Sequence, residues 1–179
     1  MNSISSTPML VGERIYLYPL NLSFCSKKYL SWLNDSDVFA HLNTGGDYTM
    51  EELYDFVNKN AKEGVLFWAI VLKEDNNHIG NIKIDKINLK EFYGEYGIMI
   101  GEKSAWGRGF GAEASRIVID YCFNNVGLKA INLGVHAENI SAVNLYKKLG
   151  FSIVSTEPSK GDKKSENDFY FRMTILKNI

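Results

Sequence analysis

Three groups of residues in this chain have the types and spacing for chemistry. The first is Trp106-Gly107-Arg108-Gly109-Phe110-Gly111-Ala112, three glycines at alternate positions before an apolar-periodic run. Such a run presents free backbone N–H groups at a helix N-terminus, and consecutive N–H groups bind phosphate. The second is Asn139 and Tyr146, seven residues apart, which two helical turns bring to one face. The third is Glu95, which on a strand shares a face with Gly97 and Met99, where a charge is no obvious filler. A plain structural reading stands beside each. The glycines can form a turn, Tyr146 can join Ala142 and Leu149 in a core stripe, and Glu95 can be an exposed or ion-paired strand carboxylate.

The glycine letters alone also fit a dinucleotide fingerprint, through Gly107, Gly109 and Ala112. That fingerprint needs its first glycine directly at a strand end within a βαβ unit. Here the preceding strand ends near Ile100, and six residues, Gly101 to Trp106, intervene. Too little chain follows Val135 for a second βαβ half. A P-loop is also excluded, because no Gly-Lys-Ser/Thr follows.

The elements that must position these residues follow from periodicity and punctuation. Arg14 to Tyr18 reads as a strand stopped by Pro19, and Leu22 to Leu33 as a helix with Tyr29, Trp32 and Leu33 on its apolar side. Asn34-Asp35-Ser36-Asp37 breaks that helix, and residues 43–47 form a loop by composition. Thr49 and Glu52 have capping-box spacing for a helix through about Ala61. Val65 to Leu72 is a short unbroken apolar run, as in a strand buried on both faces. Strands are expected at 79–84 and 93–100, a helix over 110–124, a strand at 131–135 and a helix over 141–149 stopped by Gly150. Strands at 151–154 and 169–176 close the chain around a solvated loop at Lys160 to Lys164. The order is β-α-α-β-β-β-α-β-α-β-β, an α/β (α+β) fold with a mixed, mostly antiparallel sheet of about seven strands and four main helices. Residues 1–179 form one domain, with 1–9 as a loose tail.

Bulk composition narrows the partners. Twenty basic and 21 acidic side chains leave a net charge of -1, which argues against nucleic acid or an anionic membrane as the main partner. Cys25 and Cys122 have neither metal-ligand nor disulfide-framework spacing, and no metal is expected. The N-terminus lacks a signal-peptide pattern and no apolar run approaches a membrane span, so the reading is cytoplasmic.

Several blocks together resemble the GNAT superfamily of acetyl-CoA-dependent N-acetyltransferases. They are Glu95-Tyr96-Gly97-Ile98, Gly107 to Ala114, Asn139, and Leu145-Tyr146-Lys147-Lys148-Leu149-Gly150-Phe151. The style is that of branches acting on ribosomal-protein N-termini, polyamines or amino sugars. Trp106 stands where the superfamily usually has Gln or Arg, and it can pack beside the cofactor. The resemblance implies that the CoA diphosphate rests on the turn Trp106, Gly107, Arg108, Gly109, Phe110, Gly111 and Ala112. It implies that the pantetheine arm runs along Ile98, Met99 and Ile100, held by Asn139 and with Asn144 and Tyr146 nearby. Tyr146 is then the acid for the leaving thiolate and Glu95 the candidate base, with His136 in reserve; His41 and His78 read as surface or loop residues. Trp32, His41 and Tyr48 are the candidate acceptor-binding residues, near Asp35, Asp37 and Glu51, although Asn34 to Asp37 reads better as an ordinary turn. The expected partner is a small-molecule amine, an amino sugar or a protein N-terminus, and a homodimer would suit the resemblance. The alternative is a CoA-binding regulatory or scaffold domain without transfer activity.

Overall fold

A computed structural model describes residues 6–40, 46–62, 64–158 and 169–177. His41 and the loop Lys160 to Lys164 lie outside the described residues. Among the described residues, eight strands form one sheet: β1 (Leu10–Val11), β2 (Ile15–Pro19), β3 (Leu66–Leu72), β4 (His78–Asn88), β5 (Tyr93–Ile100), β6 (Ala130–His136), β7 (Ser152–Pro158) and β8 (Phe169–Leu176). Their spatial order is β1-β2-β3-β4-β5-β6-β8-β7. Every neighbour is antiparallel except β5 and β6, which run parallel. The helices are α1 (Lys27–Leu33), α2 (Ser36–Phe39), α3 (Met50–Lys62), α4 (Phe110–Tyr121) and α5 (Ile140–Leu149). The expected mixed, mostly antiparallel α/β fold is the one observed.

Strand β3 explains the layering. All seven of its residues are buried, because its alternate side chains enter two different cores. Trp68, Ile70 and Leu72 face a core shared with Ile15, Leu17, Ile82, Ile84, Ile131 and the inner faces of α4 and α5. Phe67, Ala69 and Val71 face a second core closed by Tyr29, Trp32, Leu33, Leu53 and Val57 from α1 and α3. The sheet is therefore sandwiched, but α1 to α3 pack at its β2–β3 side.

Local signals set the element ends. Thr49 and Glu52 exchange the capping-box bonds, with Glu52 N donating to Thr49 Oγ1 at 3.2 Å and Thr49 N to Glu52 Oε2 at 2.8 Å. Gly150 ends α5 in the left-handed region at φ 99°. The expected single helix over 22–33 divides into a 3-10 turn, Leu22–Phe24, and α1, because Ser26 caps the N–H of Tyr29. Asp35 caps the next short helix, α2, where sequence composition indicated only a break. Helix α4 passes into a widened π turn at Cys122–Val126 before Gly127.

The expected loose tail is a correction in part. Trp68 Nε1 donates to the Pro8 carbonyl at 2.6 Å, and the Phe67 N–H donates to Thr7 Oγ1 at 3.3 Å. A buried indole N–H needs a partner, and the early chain supplies it. The eighth strand, β1, arises from the same anchoring, with Leu10 opposite Leu17.

Candidate active site

The parallel ladder between β5 and β6 is short. It pairs Tyr93 with Ala130, Gly94 with Ile131 and Glu95 with Asn132, and stops there. Strand β5 continues to Ile100 against β4, while β6 continues to His136 against β8. The two strands therefore splay, and Tyr96 to Ile100 present a main-chain edge with no β6 partner. An extended chain can add to such an edge. Ile98, Met99 and Ile100 are all half-buried along it.

The glycine turn closes one end of this slot. Gly107 and Gly109 sit in the left-handed region at φ 71° and 84°, and Gly109 caps α4 without a side-chain bond. The first intrahelical bond runs from Glu113 N to the Gly109 carbonyl. The N–H groups of Phe110, Gly111 and Ala112 consequently lack an intrahelical acceptor. A Cβ on Gly111 would lie 3.7 Å from Ile100 and 3.8 Å from Ile98 and Leu145, so the turn sits between β5 and α5. Trp106 Nε1 donates to the Ile100 carbonyl at 2.7 Å and ties the turn to the end of β5. The Arg108 side chain is exposed, 3.6 Å from Glu74.

Buried polar groups hold α4 against β5. The Tyr96 hydroxyl and Ser115 Oγ are 2.7 Å apart, and Ser115 Oγ donates to the Gly111 carbonyl at 2.6 Å. Tyr146 packs edge-on against Tyr96, with ring centroids 5.7 Å apart, and against Phe151 at 5.8 Å. Burial pushes the Tyr146 phenol up to about 12, and burial also raises Tyr96 and Tyr29. The folded protein keeps these protons where an unfolded chain releases them. The stabilising contribution of Tyr146 is complete below the ordinary phenol value of 10.0 and is lost as pH rises from there through about 12, and Tyr96 and Tyr29 act in the same direction. An alkaline titration should show tyrosinate absorbance appearing together with loss of circular dichroism; independent, gradual ionisation at ordinary values would contradict it.

Asn139 caps α5, its Oδ1 accepting from Ala142 N at 3.1 Å, which leaves the amide N–H₂ end as the available donor. Asn144 is exposed and about 200° around the helix from Tyr146, so the structure does not bring it to the slot.

The opposite face of the sheet beside the slot is polar. Glu95 Oε1 accepts from Arg172 Nη2 at 2.5 Å. Gly134 on the intervening strand lets the guanidinium cross, since a Cβ there would lie 3.2 Å from Arg172 Nη1. Alternation places Lys83, Asp85, Asn132, Thr174, His136 and Tyr170 on the same face. His136 Nδ1 accepts from the Glu138 N–H at 3.3 Å.

The expected acceptor residues divide. Trp32 is buried against Gly101 and packed tilted on Tyr29 and edge-on to His78, with ring centroids 5.7 and 4.9 Å apart, which is a core role. Tyr48 is half-buried beside the second core, with its backbone held by the Asn34 amide. His78 is a correction: it packs edge-on among the rings of Phe24, Tyr29 and Trp32, its Nε2 is bonded to Gly80 and Asn81, and burial lowers its pKa. Asp35 and Asp37 both pair with Lys103 at 2.7 and 2.6 Å, so these acids already have a cation. Arg172 and Tyr96 are the residues sequence reasoning missed. The alternation of 169–176 put Arg172 on a strand face, but nothing local tied it to Glu95.

Comparison with known proteins agrees with this fold. Residues 14–152 match the family model for the acetyltransferase (GNAT) domain. An N-acetyltransferase 9-like protein of Caenorhabditis briggsae is 26% identical over 157 residues, 82% of this chain and 78% of that protein. The mouse alpha/beta-tubulin-N-acetyltransferase 9 is 24% identical over 164 residues, 85% of this chain and 67% of that protein. A Vibrio cholerae spermidine N-acetyltransferase, solved with CoA and spermine, superposes with a TM-score of 0.82 at 22% identity, covering 91% of this chain and 95% of that one.

Proposed function

Because the chain belongs to the GNAT family of acetyl-CoA-dependent N-acetyltransferases, we propose that it moves the acetyl group directly onto a primary amine within a ternary complex. The observation that carries this reading is the end of the β5–β6 ladder at Glu95 and Asn132. The resulting slot connects the glycine turn and Tyr146 on one face of the sheet with the Glu95–Arg172 pair on the other. The donor lies along Ile98, Met99 and Ile100, its diphosphate at the N–H groups of Arg108, Gly109, Gly111 and Ala112. A β5 N–H facing the slot stabilises the oxyanion. The amine attacks the thioester carbonyl, the C–N bond forms, and the C–S bond breaks. Tyr146 gives its proton to the departing thiolate, and a phenol raised to about 12 is held in the protonated form this requires.

An acetyl-enzyme is disfavoured by the cysteines. Burial pushes the Cys122 thiol up to about 12 and also raises Cys25, so neither offers a ready thiolate.

Glu95 uses Oε1 on Arg172, and its other oxygen is the proposed acceptor of the amine proton. Glu95→Gln is expected to lower kcat about tenfold or more while acetyl-CoA binding stays the same. Unchanged kcat would leave Glu95 with only its ion-pair role.

The acceptor panel joins polyamines and tubulin peptides, after the relatives named for spermidine and tubulin, to the N-terminal peptides and amino sugars that the sequence resemblance implies. The reading is tested by thiol release from acetyl-CoA over that panel. Turnover with one class supports it; acetyl-CoA binding with no turnover on any amine favours the scaffold alternative.

A further inference from the structure

The first turn of α4 contains an acidic residue, Glu113, beside the N–H groups proposed to receive the diphosphate. A carboxylate there acts against an anion in two ways. It adds like charge, and it can fold back to occupy the free N–H groups itself. Arg14, just before β2 and 99 positions away in sequence, engages it and opposes both effects. The Arg14 backbone N–H donates to Glu113 Oε1 at 2.8 Å, and Arg14 Nε donates to Oε2 at 2.9 Å.

The same guanidinium reaches the turn itself. Arg14 Nη1 donates to the Arg108 carbonyl at 3.0 Å, its Cζ lies 4.6 Å from the Phe110 ring centroid, and its Nη2 lies 3.5 Å from where a Gly109 Cβ would stand. In a trans peptide the C=O and the following N–H point opposite ways. Drawing the Arg108 carbonyl toward Arg14 therefore turns the Gly109 N–H to the other side.

We infer that Arg14 is a positioning residue for the acetyl-CoA diphosphate, acting by pairing Glu113 and by orienting the Arg108–Gly109 peptide. The inference rests on the acetyl-CoA reading above. It makes the affinity for the diphosphate depend on a residue at the far end of the sequence that makes no contact with the acetyl group.

The test uses the full chain with Arg14→Ala, Arg14→Lys and the double variant Arg14→Ala/Glu113→Gln. Calorimetry with CoA is expected to show about tenfold weaker binding for Arg14→Ala, with KM for acetyl-CoA rising similarly and kcat at saturation within about twofold. KM for S-acetylpantetheine, which lacks the diphosphate, should not move. Arg14→Lys should fall between, since it keeps the charge but loses the forked donors. The double variant should recover most of the affinity, because the unpaired carboxylate is gone; a loss of helix docking alone would not be repaired this way. Wild-type protein that does not bind CoA would sink the donor reading and this inference with it. Wild type that binds CoA while Arg14→Ala binds it equally, an equal loss with S-acetylpantetheine, or no recovery in the double variant would overturn the role of Arg14 alone.

Discussion

Replacing Tyr146 with phenylalanine is expected to lower kcat by about 10²- to 10³-fold, with the dissociation constant for acetyl-CoA changed by less than about threefold. The substitution removes one oxygen and keeps the ring that packs on Tyr96 and Phe151. In the proposed mechanism, binding along β5 and the glycine turn does not use the phenol, whereas protonation of the leaving thiolate does. The thiolate is a poorer leaving group when nothing neutralises it, so the loss belongs in the chemical step. Steady-state kinetics with calorimetry separates the two terms. Equal kcat in variant and wild type would remove Tyr146 from the mechanism, and a loss confined to KM would make it a binding residue.

Gly80→Ala is expected to cost about 3 kcal/mol of stability, near the upper end for overpacking. A Cβ at Gly80 would lie 2.2 Å from the Met99 carbonyl oxygen and 2.9 Å from the Ile100 Cα. Both are backbone, so no side-chain rotation relieves the clash, and β4 must move away from β5. For a chain of 179 residues this corresponds to a fall in Tm of roughly 6–12 °C. Met99 and Ile100 also form the slot edge, so donor affinity should fall in the protein that remains folded. A thermal melt within about 2 °C of wild type would show that the two strands tolerate the separation.

These predictions draw on different kinds of information. The glycine turn, the capping box at Thr49 and Glu52, the buried run of β3 and the stop at Gly150 were all legible in the sequence. Each depends on neighbours within a few positions, where propensity and side-chain period act directly. The resemblance to the GNAT family was legible for the same reason, since its blocks are short and ordered along the chain. The tyrosine at 146 was identified by its place in such a block, but its raised phenol comes from burial against Tyr96 and Phe151, which no local pattern encodes.

Other features had no local signal. Trp32 had the composition of an acceptor-site residue, yet the close approach of Gly101 makes it part of a core. Asp35 and Asp37 had the charge to attract a cationic amine, but Lys103 from the segment before the glycine turn already neutralises them. Glu95 was a charge beside a glycine on a strand, and its partner Arg172 lies 77 residues later, across β6. Sequence by itself determined most of the elements, their order and the glycine turn before α4, because those follow from local periodicity and backbone conformation. Only the tertiary structure decided where the β5–β6 ladder ends, which charges are already paired, and that Arg14 meets Glu113. Those outcomes depend on sheet order and strand register, which are set by the packing of the whole chain.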